Sequence, residues 1–247
     1  TTKDLTRHLL SLIGPTIAPE QSFNNDLGVP LTLLRATEKT EFCILEMGAR
    51  HQGDIARLVE MSQPNIGVVL VVGSAHIGEF GSRAKIAETK SEIVSHLSTE
   101  ALAILGTYDE YTPLMAEQTS ARAIFFGEKS TCDIRGTDVE IREGRAHFDL
   151  VTPAGREPVA LRLIGRHQVP NALAAAAIAT AAAAPIPEDA PVISATLPAR
   201  APLINSLLNP DFGHSRESRE WTSGNGDGCA HQGIGATSIV GCTRMRV

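Results

Sequence analysis

The sequence predicts an α/β protein with a doubly wound, mostly parallel sheet, a small antiparallel flap and an irregular C-terminal tail. Three observations carry that expectation. Short apolar runs alternate with helix-length stretches from Phe42 to Gly127, the pattern of βαβ units. The run Ile66-Gly67-Val68-Val69-Leu70-Val71-Val72 is almost wholly β-branched or aliphatic, which suits a parallel strand buried on both faces. From about Ile134 the apolar runs become short and are separated by turns instead of helices.

The first helix is read from Leu5, Leu9, Leu10, Leu12 and Ile13 at helical spacing, and Gly14-Pro15 ends it. A polar turn at 21–28 leads to a second helical stretch, 30–36. The strand Phe42-Cys43-Ile44-Leu45 runs on toward Gly48, and 54–61 reads as the crossover helix to the strand at 66–72. A helix at 83–97 follows, then strands at 101–105 and 123–126. The flap comprises short strands at 139–142, 146–151 and 159–163, with turns at Glu143-Gly144 and Pro153-Ala154-Gly155. Residues 171–184 are rich in alanine, a strong helix former whose small side chain permits close packing. Residues 1–184 are thus expected to form one domain. Residues 185–247 read as a linker and an atypical tail: Pro185, Pro187, Pro191 and Pro198 interrupt the chain, and periodicity is lost beyond Gly213. That tail is expected to lack a packed core of its own, being disordered or frame-shifted.

A formal charge of -6 in 247 residues gives no support to nucleic acid as a partner. The four cysteines, Cys43, Cys132, Cys229 and Cys242, form no CxxC pair, so neither a zinc site nor a disulfide framework is expected. No run reaches the roughly 18 to 20 apolar residues of a membrane span. With no leader-like start, the expected location is the cytoplasm.

The chemistry is expected at one edge. Ligands of open parallel sheets bind outside the carboxyl ends of the strands. Glu46 closes the run at 42–45, His76 follows the run at 66–72, and Lys90 lies on the helix after it. Glu46 and His76 would emerge together where a cation and a nucleotide meet. Taken singly, they also suit a capping carboxylate and a loop histidine, and Lys90 a solvated helix lysine. Asn24, Asn25 and Asp26 beside Gly28 are in isolation a turn. His167 and Asn171 are in isolation a pair at a helix N-terminus.

Four stretches add specificity: Ser22-Phe-Asn-Asn-Asp-Leu-Gly-Val-Pro30, Glu46-Met-Gly-Ala-Arg-His-Gln-Gly-Asp-Ile55, Ala75-His-Ile-Gly-Glu-Phe-Gly-Ser82 with Lys90, and Gly165-Arg-His-Gln-Val-Pro-Asn-Ala172. In this order and spacing the chain resembles the Mur ligase family over roughly residues 1–184. The segment from Asn24 to Pro30 favours the branch that adds D-Ala-D-Ala. The resemblance implies an ATP-dependent amide-bond ligase of peptidoglycan precursor synthesis. In this branch ATP phosphorylates the terminal carboxylate of UDP-N-acetylmuramoyl-tripeptide, and the amine of D-Ala-D-Ala attacks the acyl phosphate. It further implies Mg²⁺ held by Glu46, His76 and Lys90, with Lys90 carried as a carbamate and His76 and Lys90 acting in catalysis. Asn24, Asn25 and Asp26 would lie near the UDP-sugar substrate, and His167 and Asn171 near the nucleotide base. Family members are usually monomeric.

The chain departs from the family in three places. The family's G-x-x-G-K-T phosphate loop stands just before the segment that starts at Thr1, so Lys3 is not its lysine. Leu105-Gly106-Thr107-Tyr108-Asp109 replaces an Asn-Ala-Asp sequence. The tail retains at most a shortened echo, at 203–211, of the next domain. These departures suggest a gene fragment with little activity alone. Alternatives are another Mur-type amide ligase, such as a folylpolyglutamate-synthase relative, or a non-catalytic nucleotide-binding remnant.

Overall fold

Apolar side chains fall on both faces of the central strands, so the sheet needs a helical layer on each side. In the computed structural model, which describes residues 1–74, 77–183 and 239–244 (backbone alone for Ile77, Glu79, Ile239 and Arg244), it has both. The elements are α1 (Thr2–Leu10), β1 (Thr16–Ile17), α2 (Gly28–Leu33), β2 (Phe42–Met47), α3 (Asp54–Ser62), β3 (Ile66–Val69), α4 (Ile77–Phe80), α5 (Arg83–Ser95), β4 (Leu102–Gly106), β5 (Arg122–Gly127), β6 (Ile134–Arg142), β7 (Arg145–Thr152), β8 (Gly155–Ile164), α6 (Gln168–Ala183) and β9 (Ile239–Arg244). A 3₁₀ turn, Thr112–Gln118, links β4 to β5.

The sheet order is β1-β2-β9-β3-β4-β5-β6-β7-β8. The pairs β1–β2, β3–β4, β4–β5 and β5–β6 are parallel, whereas the flap pairs β6–β7 and β7–β8 are antiparallel. Side-chain alternation divides the core as strand geometry requires. Phe42, Ile44, Val68 and Ile104 join α1 and α6 on one face. Cys43, Leu45, Val69 and Leu105 join α3 and α5 on the other. Helix α6 is buried nearly all round, with Ala172 to Ala179 all at most 5% exposed. Alanine lets it sit close to the sheet and under the flap. The turn at Glu143-Gly144 has φ of 49° and 77°, the left-handed pair of a tight hairpin.

Two sequence expectations change. The strand predicted to Val72 pairs only to Val69, because Val72 hands its backbone groups to side chains: its N–H donates to Asp109 Oδ2 at 2.9 Å and its C=O accepts from Arg83 Nη2 at 2.9 Å. The tail, expected to be irregular throughout, supplies β9, whose Val240 and Cys242 are buried in the main core. Its six residues are too few to produce a detectable period. Residue 184 and the rest of the tail, 185–238 and 245–247, lie outside the described residues. None of the described helices is long and apolar enough to cross a membrane.

Glycine is required at Gly106, where a Cβ would overlap the carbonyl oxygen of Leu70. Backbone cannot swing aside as a side chain can. Gly106→Ala is expected to destabilise the protein by about 2 kcal/mol or more, read as a lowered urea midpoint. A change below about 0.5 kcal/mol would show that this strand edge yields freely.

Candidate active site at the carboxyl edge of the sheet

Glu46 sits near the carboxyl end of β2, partly buried, opposite Val240 of β9. Asn24 reaches it from the loop before α2: Nδ2 donates to Glu46 Oε1 at 3.1 Å. The loop is seated by a second bond, from the Gly48 N–H to the Asn24 carbonyl at 2.8 Å. A Cβ at Gly48 would stand 2.9 Å from Asn24 Cγ, so the approach depends on that glycine. The structure therefore brings together a residue expected at the substrate and one expected at the metal. Glu46 retains acceptor capacity for another partner.

The neighbours of Asn24 have different surroundings. Asn25 Oδ1 accepts from the Gly28 and Leu27 N–H groups at 2.9 and 3.3 Å, which starts α2. Asp26 is exposed. Only Asn24 of the three contacts Glu46.

After β2 the chain turns into α3 through a loop fixed by two carboxylates. Asp54 Oδ2 accepts from the Arg50 and His51 N–H groups at 3.0 and 2.9 Å. Burial would raise the Asp54 pKa, but these N–H groups and the Arg57 guanidinium outweigh it and hold the carboxyl below its ordinary value. Glu92, 7% exposed, accepts from the Gly53 and Ala56 N–H groups at 2.7 and 3.0 Å. A buried anion is thereby placed at the N-terminus of α3, where unpaired N–H groups favour it. Sequence reasoning missed Glu92, because a glutamate inside a helix resembles any solvated one.

Across the sheet, Asp109 and Arg83 hold the end of β3. Besides Val72, Asp109 accepts from the Tyr111 and Thr112 N–H groups at 2.7 and 2.8 Å. Arg83 pairs with Glu110 at 2.8 Å and lies over the Tyr111 ring, 5.2 Å from its centroid. The segment that replaces the family's Asn-Ala-Asp sequence thus supplies, through Asp109, a structural clamp at this point. Ala75 and His76 lie outside the described residues, so the expectation for His76 has no structural counterpart here.

At the other end of α6, the His167 ring lies against Gly165, whose φ is 104° and whose Cβ would overlap the ring. Asn171 Oδ1 accepts from Thr2 Oγ1 at 2.7 Å, and its Nδ2 donates to Gln168 Oε1 at 3.0 Å. Asn171 thereby ties α6 to the start of α1. Lys3 is 5% exposed and donates to the Pro19 carbonyl at 2.7 Å and Asp4 at 2.9 Å. Its ammonium is engaged within the fold.

Lys90 is partly buried on α5, and burial pushes its pKa from 10.5 down to about 8. Among the described residues, no three His, Cys, Asp or Glu side chains cluster as a metal site. Glu46 offers one hard oxygen donor suited to Mg²⁺, whereas a lysine amine is a poor ligand for that ion and a carbamate would be a good one. Below pH 8 the folded protein carries a buried ammonium at a cost. Between about 8 and 10.5 the folded state releases the proton while the unfolded state keeps it, so stability rises with pH. Lys90→Met is expected to be more stable than the parent at pH 7 by on the order of 2–3 kcal/mol. The gap should close toward pH 10.5 in urea denaturation series, and a constant gap would overturn this account.

Comparison with known proteins identifies the family. The Mur ligase middle domain model matches residues 1–179. The UDP-N-acetylmuramoyl-tripeptide–D-alanyl-D-alanine ligase of Mycobacterium tuberculosis is 43% identical over 198 residues, covering 80% of this chain and 39% of that protein. A crystal structure of MurF from Acinetobacter baumannii superposes with a TM-score of 0.69 at 38% identity, covering 72% of this chain and 39% of that one. MurF ligase from Thermotoga maritima in complex with ADP gives 0.61 at 29% identity, covering 72% and 41%. The chain spans about two fifths of the length of these relatives. On the match to residues 1–179, the chain belongs to the Mur ligase family.

Proposed function

We infer that this chain is the nucleotide- and metal-handling part of an ATP-dependent ligase that joins D-Ala-D-Ala to UDP-N-acetylmuramoyl-tripeptide. The observation that carries this reading is the Asn24–Glu46 contact. It seats the segment characteristic of this branch on the carboxylate suited to the metal. In the reaction, a substrate carboxylate oxygen attacks the γ-phosphorus of ATP, giving an acyl phosphate and ADP. The dipeptide amine then attacks the acyl carbon, loses a proton and expels phosphate.

Such phosphoryl transfer depends mostly on positioning and charge neutralisation. Magnesium, when bound, supplies positive charge at the transferring phosphoryl group. Glu46 would hold it through an oxygen, oriented by Asn24. Lys90, whose depressed pKa makes the neutral amine accessible, would add CO₂ and become an anionic oxygen donor; His76 would complete the set. Asn25 and Asp26 flank Asn24 toward the UDP-linked substrate, and His167 and Asn171 lie toward the nucleotide base. The same reading makes 1–184 the central domain, to whose sheet residues 239–244 add a strand, in a monomeric cytoplasmic protein.

Titration calorimetry with ADP tests this reading. Binding is expected to strengthen with Mg²⁺, and Glu46→Gln to weaken the Mg²⁺-dependent part by about tenfold or more, some 1.4 kcal/mol. Binding indifferent to both Mg²⁺ and Glu46 would refute it. In ¹³C NMR with labelled bicarbonate, a carbamate signal is expected from the parent and absent from Lys90→Met. Its absence from both would remove the carbamate.

A further inference from the structure

Helix α3 is capped from outside its own sequence. Its N-cap position is Gly53, held at φ 89° and without a side chain that could accept a hydrogen bond. The acceptor is Glu92 of α5, 39 residues on, which takes the Gly53 N–H on Oε1 at 2.7 Å and the Ala56 N–H on Oε2 at 3.0 Å. An asparagine, aspartate or serine at the N-cap would satisfy such donors locally. Glu92, at 7% exposure, instead takes a charge out of water, a cost that charge-assisted bonds offset. What the arrangement adds over a local cap is a fixed relation between α3 and α5. Apolar side chains of both helices, Ile55, Val59 and Ile93 among them, share one core, but apolar contact is non-directional. The two hydrogen bonds set the register.

That register bears on the candidate site from both ends. On one side, α5 carries Lys90 two residues before Glu92. Two residues turn a helix by about 200°, so Glu92 meets α3 without occupying the side on which Lys90 lies. On the other side, the tie lands at the end of the loop that follows Glu46. This loop is held at further points: the Gly48 N–H donates to the Asn24 carbonyl at 2.8 Å, and the Arg50 and His51 N–H groups donate to Asp54 at 3.0 and 2.9 Å. Asn24 in turn donates to Glu46 Oε1 at 3.1 Å. A run of bonds therefore leads from the Glu46 carboxylate, along residues 48–53, to the helix bearing Lys90.

We propose that Glu92 is a positioning residue for the metal-dependent step of nucleotide binding: by locking α5 to the loop after β2, it sets the spacing between Glu46 and Lys90. It acts through those two residues and is not itself a ligand. The inference rests on the ligase reading, which makes Glu46 and Lys90 partners at one cation.

The test is calorimetry of ADP binding to the full chain, with and without Mg²⁺, in the parent, Glu92→Gln, Glu46→Gln and the double variant. Glu92→Gln keeps the length of the side chain and one accepting oxygen, but sets an amide N–H against a backbone donor. It is expected to leave Mg²⁺-free binding within about twofold of the parent and to reduce the gain from Mg²⁺ by about fivefold or more. In the Glu46→Gln background the same change is expected to cost less than about twofold, because the spacing it sets has lost one of its ends. A merely structural cap would weaken binding alike with and without Mg²⁺, and alike in both backgrounds; either result overturns the proposal. Ala56→Pro deletes one of the two donors within a first turn that tolerates proline and leaves Glu92 intact. It is expected to lose part of the same gain, and it decides the matter should Glu92→Gln not fold: a full gain retained by Ala56→Pro overturns the proposal. A parent that gains nothing from Mg²⁺ removes the ligase reading and this inference together. A parent gain that survives Glu92→Gln removes the positioning role alone.

Discussion

Backbone hydrogen bonding across the gap between β2 and β3 is the constraint on which the rest of the molecule depends. A sheet interior has no water to satisfy a bare strand edge, and each unmet N–H or C=O costs about as much as a lost hydrogen bond. β9 meets six residues of β2 and four of β3, converting two internal edges into one continuous sheet. The helical layers depend on that continuity. The face under α1 and α6 is shared by Phe42 and Ile44 on one side of β9 and by Val68 and Ile104 on the other, with Val240 and Cys242 between them.

The same demand for partners shapes the functional edge. Where strands end, the loops do not fall into water: carboxylates and amides hold their N–H groups. Asp54 fixes Arg50 and His51, Glu92 fixes Gly53 and Ala56, and Asp109 fixes Val72, Tyr111 and Thr112. Glu92 reaches the start of α3 from α5 and Asp109 reaches Val72 from beyond β4, so these segments are braced between elements, while Asp54 holds its own loop locally. Glu46 consequently projects from a held backbone, its carboxylate already oriented by Asn24. A phosphoryl-transfer site requires this, since its catalytic power lies in prearranged charge.

What was legible in the sequence follows from range. The alternation of apolar runs with helices at 42–127 is local, and β2, α3, α5, β4 and β5 lie within a few residues of their predicted positions. The alanine helix and the Glu143-Gly144 turn were legible because residue type alone dictates them. Three features were not. The end of β3 before Val72 is set by Asp109, 37 residues on from Val72, which no hydropathy window contains. Glu92 serves α3 from another helix across a buried contact. β9 is six residues with a glycine inside, and its partners lie at the opposite end of the chain. Of the candidate site, Asn24 beside Glu46 is a juxtaposition the sequence could suggest only through the family resemblance. His76 falls outside the described residues.

Lys90 shows how stability and chemistry oppose each other at this edge. Burial that pushes an amine down to about 8 makes the charged form costly to the fold. A protein selected for stability alone would place an apolar side chain there. The same burial raises the fraction of neutral amine near neutral pH by more than two orders of magnitude relative to a solvated lysine, and only the neutral amine adds CO₂. On the function proposed above, a carbamate at that position would remove the buried positive charge and offer oxygen atoms to a divalent cation, with Glu46 as a further donor from β2. On this argument the energetic penalty at Lys90 and the accessibility of its neutral amine have a single cause, its burial on α5.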